Sequence, residues 1–286
     1  MLVGSYGDNG NKGGVYAFNC PTASTCSKIG YLNASDAAAG DTFGVQLALS
    51  NNIAVIGAPG KNTNQGAAYV FTYQTPSNFS QASILNASDG AGSNGFGRGV
   101  SISGNLIVVG AYVKNSGQGA AYVFNCASPS NCPQTSILVA SDGSQDNYFG
   151  YSVAISGSTV VIGAYGYNDQ GKGYLFNCSA ADCFPASTLV PTDPSDGAQF
   201  GASVALLNDL VVVGANGNQG VGYIFECPTL TTCSQYSEVT GGGSNLFGSS
   251  VAVSIDVIVF GSFGNGNNAG AAYVMKSKRK SKSNNK

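Results

Sequence analysis

The sequence contains no histidine, and only 9% of its 286 residues are charged. General acid–base and nucleophilic catalysis usually depend on histidine, a perturbed acid or an activated cysteine. No apolar run approaches the ~18 residues that a membrane-spanning helix needs. The first ten residues, MLVGSYGDNG, have neither a basic start nor an apolar core, so we expect no signal peptide among them. The sequence therefore predicts a non-enzymatic chain without a cofactor or a transmembrane segment.

Positive charge is scarce outside the C-terminal end. Residues 276–286 hold six of the twelve lysines and arginines, which leaves six cations against fourteen acids, net −8, in the rest of the chain. An acidic body does not attract nucleic acid. The end itself contains lysine, arginine, serine and asparagine without an apolar residue, and this composition predicts a disordered tail. Attraction of the tail to an anionic lipid or polymer is the alternative.

The sequence is rich in glycine, with 41 residues, and contains an internal repeat. A Phe-Gly pair recurs five times, and fourteen residues after each phenylalanine a glycine closes an apolar run. A Gly-x-x-Tyr motif follows, and a copy of the second half alone opens the chain. Self-similarity at this period indicates an array of supersecondary units that bury their faces against neighbours. The phenylalanines are Phe43, Phe96, Phe149, Phe200 and Phe247; the tyrosines are Tyr16, Tyr69, Tyr122, Tyr174, Tyr223 and Tyr273.

The best-defined copy, residues 149–190, is predicted to form four β-strands. Residues 152–156 alternate small or polar with apolar side chains, residues 159–162 are mostly β-branched, and Gly157 and Ser158 between them suit a hairpin turn. Third and fourth strands are expected at 173–177 and 187–190. The constant Phe-to-Gly distance indicates a hairpin of fixed register. Four short strands every ~50 residues with glycine-rich turns are typical of a propeller blade.

The repeated pattern Leu-x-Ala-Ser-Asp-Gly…Phe-Gly-x-Ser-Val-Ala-Ile-Ser-Gly…Val-Val-Gly-Ala…Gly-Ala-Ala-Tyr-Val-Phe resembles the FG-GAP repeats of integrin α-subunit β-propellers. It is more similar still to the shorter FG-GAP repeats of bacterial and protist surface proteins. The resemblance covers about residues 2–275 and implies an all-β propeller. The last motif position is degenerate, because only Pro59 keeps the proline. The other copies have Tyr6, Tyr112, Tyr165, Asn216 and Phe263 there.

We expect about six blade units, imperfectly closed, followed by the disordered tail at 276–286. The first unit lacks its inner strand and the last lacks its outer strand, so the two ends do not complement each other. We therefore interpret the chain as a fragment truncated at its N-terminus, and a seven-bladed parent is an alternative to six. The predicted units are 2–32 (partial), 33–85, 86–139, 140–190, 191–239 and 240–275 (partial).

The eight cysteines fall into four local pairs, each across the turn between a third and a fourth strand. Zinc is a poor alternative, since structural zinc sites need four close-set ligands, histidine is absent, and pairs in different blades point away from each other. Free thiols are the remaining alternative. We predict disulfides and hence an oxidising compartment, outside the cell or at its surface. The pairs are Cys20–Cys26, Cys126–Cys132, Cys178–Cys183 and Cys227–Cys233.

Four Asn-x-Ser sequons are possible N-glycosylation sites in a secreted protein. We predict glycan at Asn33, Asn78 and Asn86, and not at Asn177, which adjoins a cysteine pair. In a sequence so rich in asparagine and serine, chance matches are the alternative.

Aspartates recur in the loop that enters each blade. Asp36, Asp89, Asp142 and Asp193 each precede a Phe-Gly pair by seven residues. We expect their carboxylates to cap backbone N–H groups of tight turns. Calcium binding is the first alternative, although two carboxylates per loop are too few ligands without backbone oxygens. A catalytic role for paired carboxylates is the second alternative. The calcium candidates are Asp36, Asp41, Asp142, Asp146, Asp193 and Asp196. Calcium-binding integrin blades have an acidic loop between strands one and two, and here that turn is too short.

The degenerate motif position supplies the candidate ligand residues Tyr112, Tyr165, Asn216 and Phe263. They follow the closing glycine on the rim where loops gather, and aromatic side chains are frequent interface anchors. Packing against a neighbouring blade is the alternative. By resemblance we hypothesise a monomeric, extracellular or cell-surface binding module, adhesion-like, for protein or glycan partners. The second hypothesis is an accessory domain of a secreted hydrolase, and a catalytic propeller is the third.

Overall fold

The computed structural model describes residues 1–22, 24–75, 78–195, 197–241, 246–264 and 269–277. In these ranges, twenty-two strands form six small antiparallel sheets, each with its strands in chain order. The first and last sheets have three strands and the other four have four. The protein is therefore an all-β, six-bladed propeller, as the sequence predicts, with each sheet one blade.

The bounds of the strands follow the repeat. Blade 1 contains β1 (Leu2–Ser5), β2 (Gly14–Thr22) and β3 (Thr25–Leu32); blade 2 contains β4 (Leu47–Ser50), β5 (Ile53–Ala58), β6 (Ala67–Thr75) and β7 (Asn78–Leu85); blade 3 contains β8 (Phe96–Ser103), β9 (Leu106–Ala111), β10 (Ala120–Asn125) and β11 (Gln134–Leu138). Blade 4 contains β12 (Ser152–Ser156), β13 (Thr159–Ala164), β14 (Lys172–Cys178) and β15 (Cys183–Leu189); blade 5 contains β16 (Phe200–Leu207), β17 (Leu210–Ala215), β18 (Val221–Thr229) and β19 (Thr232–Thr240); blade 6 contains β20 (Phe247–Val253), β21 (Val257–Ser262) and β22 (Ala271–Lys276).

The hairpin at the start of each blade has the predicted register. In blade 4, Ser152 pairs with Gly163 and Ser156 pairs with Thr159, so the turn consists of Gly157 and Ser158. Gly157 has φ +59°, a left-handed conformation that glycine adopts readily. Local turn chemistry therefore sets the strand alignment.

Each Phe-Gly pair joins its own blade to the preceding one. The Phe149 ring packs edge-on against Tyr174 of its own blade, with ring centroids 5.3 Å apart. Its backbone forms a parallel bridge with Gly119 of blade 3. The next residue, Gly150, lies so close to Gly110 that a Cβ built on Gly110 would be 1.8 Å from the Gly150 carbonyl oxygen. The two glycines of the repeat are thus a paired contact between neighbouring blades.

The hydrophobic core consists of five clusters, one between each pair of successive blades. Between blades 3 and 4, Val123 and Val108 pack against Phe149, Ile162 and other residues of blade 4. Within the described residues, no such cluster joins blade 6 to blade 1. Val274 of blade 6, at the repeat position of Val123, is 69% exposed. Among the residues described, none covers its face of the last sheet.

In the part of the chain that the structure describes, single helical turns interrupt the loop before the Gly-x-x-Tyr strand in four blades. They are α1 (Asp8–Asn11), α2 (Lys61–Asn64), α3 (Lys114–Gly117) and a 3-10 turn at Tyr167–Asp169. Each contains residues with positive φ, such as Asn62 (φ +49°) and Asn115 (φ +51°). The sequence predicted only an exposed loop here, because one turn is too short to show helical periodicity.

The four predicted disulfides are present: Cys20–Cys26, Cys126–Cys132, Cys178–Cys183 and Cys227–Cys233. Each closes the turn between the last two strands of one blade. A loop of this size contributes about 2 kcal/mol in the chain-entropy estimate. Among the residues described, no helix has the length and apolar character to cross a membrane.

Candidate functional site

The loop aspartates of blades 2, 3 and 4 bind a tyrosine and a lysine. In blade 3 the Tyr122 hydroxyl donates to Asp89 Oδ1 at 2.7 Å, and Lys114 Nζ lies 2.8 Å from Asp89 Oδ2. Blade 2 repeats the arrangement with Asp36, Tyr69 and Lys61, and blade 4 with Asp142, Tyr174 and Lys172. We expected turn capping from the sequence, and the structure adds these two partners.

The electrostatics of these triads favour the charged carboxylate. Burial opposes ionisation of Asp89, but hydrogen bonds from Lys114 and Tyr122 outweigh it, so the pKa of Asp89 lies below its ordinary value. Burial, followed by the hydrogen bond to Asp89, raises the pKa of Tyr122 far above its ordinary value. The tyrosine is therefore a neutral donor at neutral pH, and the triad is a structural clamp on the loop.

The calcium candidates lie in three loops, which enter blades 2, 4 and 5. Lys61 Nζ is 3.2 Å from Asp36 Oδ2 and 3.1 Å from Asp41 Oδ2, so a lysine ammonium occupies the position between the two carboxylates where a cation would bind. Asp41 Oδ2 also accepts from the Ala38 N–H at 2.7 Å, as a turn cap does. Within the described ranges, no three acidic or cysteine side chains lie close enough to hold a metal ion together.

The remaining calcium candidates are dispersed. Asp142 pairs with Lys172. Asp146 Oδ1 accepts from the Tyr148 hydroxyl at 3.0 Å. Asp193 is exposed and contributes, after burial, to raising the pKa of Tyr223 to about 12. Asp196 lies outside the described residues.

Blade 1 has a variant of the clamp. Asp8 Oδ2 accepts from the Tyr16 hydroxyl at 2.9 Å and from the Tyr31 hydroxyl at 3.2 Å. Ser5 donates to the other carboxylate oxygen at 2.8 Å. The hydrogen bonds from Ser5 and then Tyr16 lower the pKa of Asp8. Asp8 therefore stays ionised beside Lys28, whose Nζ lies 4.3 Å from the centre of the Tyr16 ring.

Two of the predicted ligand residues, Tyr112 and Tyr165, belong to a cluster of four tyrosines. Tyr148 and Tyr165 stack, with ring centroids 4.9 Å apart and planes 13° apart. Tyr151 meets Tyr165 edge-on at 4.6 Å and Tyr112 at 5.3 Å. This tyrosine cluster (Tyr112, Tyr148, Tyr151 and Tyr165) joins the rims of blades 3 and 4.

A cavity of about 360 Å³ lies beside the cluster, and five blades contribute to its wall. Most of the wall comes from the segments just after each Phe-Gly pair, so the cavity lies where the inner strands converge. We call it the axial cavity and define it by Arg98, Tyr151, Ser203, Asn216 and Phe263. The other two predicted ligand residues, Asn216 and Phe263, line this cavity together with Tyr151, whereas Tyr112 and Tyr165 do not. Phe263 is 60% exposed.

A more open groove of about 810 Å³ lies on the other side of the stacked pair. Residues 144–148 form one wall, Tyr165 and the loop after it form another, and Gly197 and Gln199 close it from blade 5. We call this the rim groove. Its polar groups include Asp146, Asn168 and Asp169. A groove with amides, carboxylates and tyrosine rings presents both hydrogen-bonding groups and flat apolar surface.

The hydroxyls of Tyr148 and Tyr165 are protonated at neutral pH. Burial, followed by the neighbouring Tyr151 and Tyr148, raises the pKa of Tyr165 to about 12. The hydrogen bond to Asp146 raises the pKa of Tyr148. These side chains therefore act as hydrogen-bond donors and stacking surfaces, and not as bases.

The cavity that adjoins β22 has another origin. Its volume is about 400 Å³, and it is lined by Ile224 and Tyr236 of blade 5 and by Ile258 and Met275 of blade 6. In the complete blades, a fourth strand covers this edge of the third strand. The cavity therefore reflects the three-stranded form of blade 6.

Sequence reasoning missed Arg98, Tyr148 and Tyr151. Arg98 and Tyr151 stand directly after Phe-Gly, a position that has valine, alanine and serine in the other repeats. That variability inside a constant motif was a usable signal, because inner-strand residues of a propeller face its axis. Tyr148 directly precedes Phe149 and had no comparable signal. The predicted glycosylation sites Asn33, Asn78 and Asn86 are exposed and remain predictions.

The fold and the repeated interblade contacts define the class of protein: a tandem-repeat β-propeller with its cavities at the rim and the axis. A family model described as the FG-GAP repeat matches the chain four times, at residues 27–71, 79–124, 133–176 and 186–225. These matches cover more than half of the chain, which therefore belongs to the FG-GAP repeat family. No curated protein matches the chain.

Proposed function

We propose that this chain is an extracellular or cell-surface binding module that holds a glycan in the rim groove and does not transform it chemically. The observation that carries the proposal is the stacked Tyr148–Tyr165 pair beside the hydrogen-bonding groups of the groove. A sugar ring has an apolar C–H face, which packs on an aromatic ring, and hydroxyl groups, which pair with amides and carboxylates.

The cysteines support this location. Four local disulfides form and persist in oxidising environments, which are those outside the cell or at its surface. The acidic body of the chain opposes binding to nucleic acid. Rigid tyrosines also serve in protein interfaces, but the groove is concave and polar, which favours a glycan over a protein surface.

A glycan array followed by calorimetric titration of the best ligand tests the proposal. Tyr148→Ala removes one stacking ring and is expected to weaken binding about tenfold, near the upper end of the energy of an aromatic contact. Tyr6→Ala is the matched control, because Tyr6 occupies the repeat position of Tyr165 in blade 1 and is 56% exposed. Tyr6→Ala should bind like the unmodified protein.

Three results would contradict the proposal. One is an array without any ligand, and another is equal affinity of the Tyr148→Ala protein and the unmodified protein. The third concerns chemistry: incubation of the protein with its ligand should release no reducing ends, and turnover would identify an enzyme.

A further inference from the structure

Arg98 in the axial cavity differs from the three clamp lysines of blades 2, 3 and 4. It is the only arginine before the C-terminal tail. Lys61, Lys114 and Lys172 each form an ion pair with an aspartate. Across the described ranges, Arg98 forms none. A guanidinium is charged at every physiological pH and has five N–H donors, so the axial cavity contains a fixed positive charge in an otherwise acidic body.

Tyr151 holds this guanidinium in place. An Arg98 Nη donates to the Tyr151 hydroxyl at 2.6 Å, and the guanidinium carbon lies 4.0 Å from the centre of the Tyr151 ring. Tyr151 in turn packs against Tyr112 and Tyr165. One donor of the guanidinium is therefore used for positioning, and others remain for a ligand. Planar, two-fold donation from arginine suits a carboxylate.

The rest of the wall supplies hydrogen-bond acceptors. Ser152 donates its hydroxyl hydrogen to the Gly201 carbonyl and Ser203 donates to the Gly248 carbonyl, both at 2.7 Å. Both serines line the cavity, and a hydroxyl that has donated its hydrogen still has lone pairs that can accept one. Asn216 Oδ1 is buried without a hydrogen-bond partner in the described structure, which costs free energy. A hydrogen bond from a ligand hydroxyl to this oxygen would remove that cost.

The cavity volume suits one sugar ring. At about 360 Å³ it lies at the lower end of the range of small-molecule sites, about 300–1,000 Å³. A ligand that satisfies the wall has a carboxylate for Arg98, hydroxyls for the serines and Asn216, and an apolar face for Tyr151 or Phe263. A sugar acid has all three.

We propose that the axial cavity binds the carboxylate-bearing unit of an acidic glycan, with Arg98 as the anion-binding residue. This inference rests on the proposed glycan binding and names its charged subsite. Tyr165 lines the rim groove and contacts Tyr151 of the axial cavity, so one chain of sugars can reach both. The acidic unit then lies at the axis and neutral units follow in the groove.

Titration with D-glucuronic acid, its methyl ester and glucose tests the subsite. We expect the acid to bind at least tenfold more tightly than either neutral compound. Arg98→Gln should abolish this preference and Arg98→Lys should restore part of it, because lysine keeps the charge without the planar donors. Lys28→Gln is the matched control: it removes another cation over a tyrosine ring, in blade 1, and should leave binding unchanged. Circular dichroism melts establish that each variant is folded.

Should Arg98→Gln not fold, Asn216→Ala replaces it, and the expected result is again weaker binding of the acid. Equal binding of acid and ester, or an unchanged preference in the Arg98→Gln protein, would overturn the proposal. Sodium sulfate that binds as tightly as the acid would also overturn it, by showing a general anion site. Array ligands that require Tyr148 but not Arg98 would leave the proposed function intact and remove only this subsite. If the acid binds but the array shows no ligand, the axial subsite is retained and the proposed glycan binding in the rim groove is contradicted.

Discussion

At the scale of single residues, the polar groups that recur in blades 2, 3 and 4 are mainly structural. Asp89, Tyr122 and Lys114 satisfy one another, and the equivalent groups of blades 2 and 4 do the same. The residues that vary between repeats, such as Arg98 and Tyr151, line the axial cavity instead. Constant repeat positions therefore build the scaffold, while variable ones give this propeller its individual surface.

The clamp carboxylates predict how stability depends on acid pH. The pKa values of Asp36, Asp89 and Asp142 lie below the ordinary value of about 3.9 of an unfolded chain. Their contribution to the free energy of unfolding is therefore complete above about pH 4 and is lost as the pH falls through the folded values. Because 46% of the Asp89 side chain is exposed, solvent screening reduces this contribution.

Asp89→Asn tests the clamp by thermal melts between pH 7 and pH 2. The variant should melt at a lower temperature than the unmodified protein at pH 7, and the difference should shrink below pH 4. Asp256→Asn, at an exposed position in the turn before β21, is the control. Its melting temperature should change with pH as that of the unmodified protein does. If the melting temperatures of the unmodified protein and of Asp89→Asn fall in parallel with pH, the clamp does not contribute to the pH dependence of stability.

At the scale of elements, the family repeat and the blade are offset by one strand. The matched segment 27–71 begins within β3 of blade 1 and ends within β6 of blade 2. Its Phe-Gly pair lies in the middle and contacts both blades, since Phe43 bridges to Gly13. The unit of sequence is thus a link between two sheets, which explains why both glycines of the motif are needed at the contact.

Gly110→Ala should disrupt that link. The added Cβ would lie 1.8 Å from the backbone carbonyl oxygen of Gly150, so blades 3 and 4 would have to separate. We expect a loss of about 3 kcal/mol or more in the free energy of unfolding, as for severe overpacking. Urea titration followed by circular dichroism measures it.

Gly261→Ala is the matched control at the same repeat position of blade 6. Its Cβ would meet Ser250 Oγ at 2.2 Å, a side-chain atom that can rotate away. Its cost should be clearly smaller than that of Gly110→Ala. Equal losses for the two variants would mean that the glycine is needed within its own blade, and not at the contact between blades.

At the scale of the whole molecule, stability comes from a row of interblade clusters. Each blade buries one face on the blade before it and the other on the blade after it, so an end blade has a face without a cluster in the described structure. Val123 is fully buried between blades 3 and 4, whereas Val274 at the end of the row is 69% exposed.

The same substitution at these two valines should therefore have different effects. Val123→Ala should lower the free energy of unfolding by about 2 kcal/mol, the value of a buried valine side chain. Val274→Ala should stay within about 0.5 kcal/mol of the unmodified protein. Urea titrations of both variants provide the comparison, and a large loss from Val274→Ala would indicate that another surface covers blade 6 in solution.

Several features follow from the sequence because they are local. The Phe-to-Gly distance and turn formers such as Gly157 determine the hairpin of each blade, since the register of two strands joined by a tight turn depends on nothing else. The pairing of cysteines six or five residues apart is local in the same way. Four blades with four strands and two with three were predictable on these grounds.

The site depends on tertiary structure. Lys61 follows the second strand of its blade and Lys172 lies in the third strand of another, yet both reach the same aspartate position. Arg98, Ser203 and Phe263 come from three repeats and meet only because the blades rotate about a common axis. The sequence determined the repeating unit through short-range turns and alternation; the tertiary structure decided which variable side chains converge, because that depends on how successive blades pack.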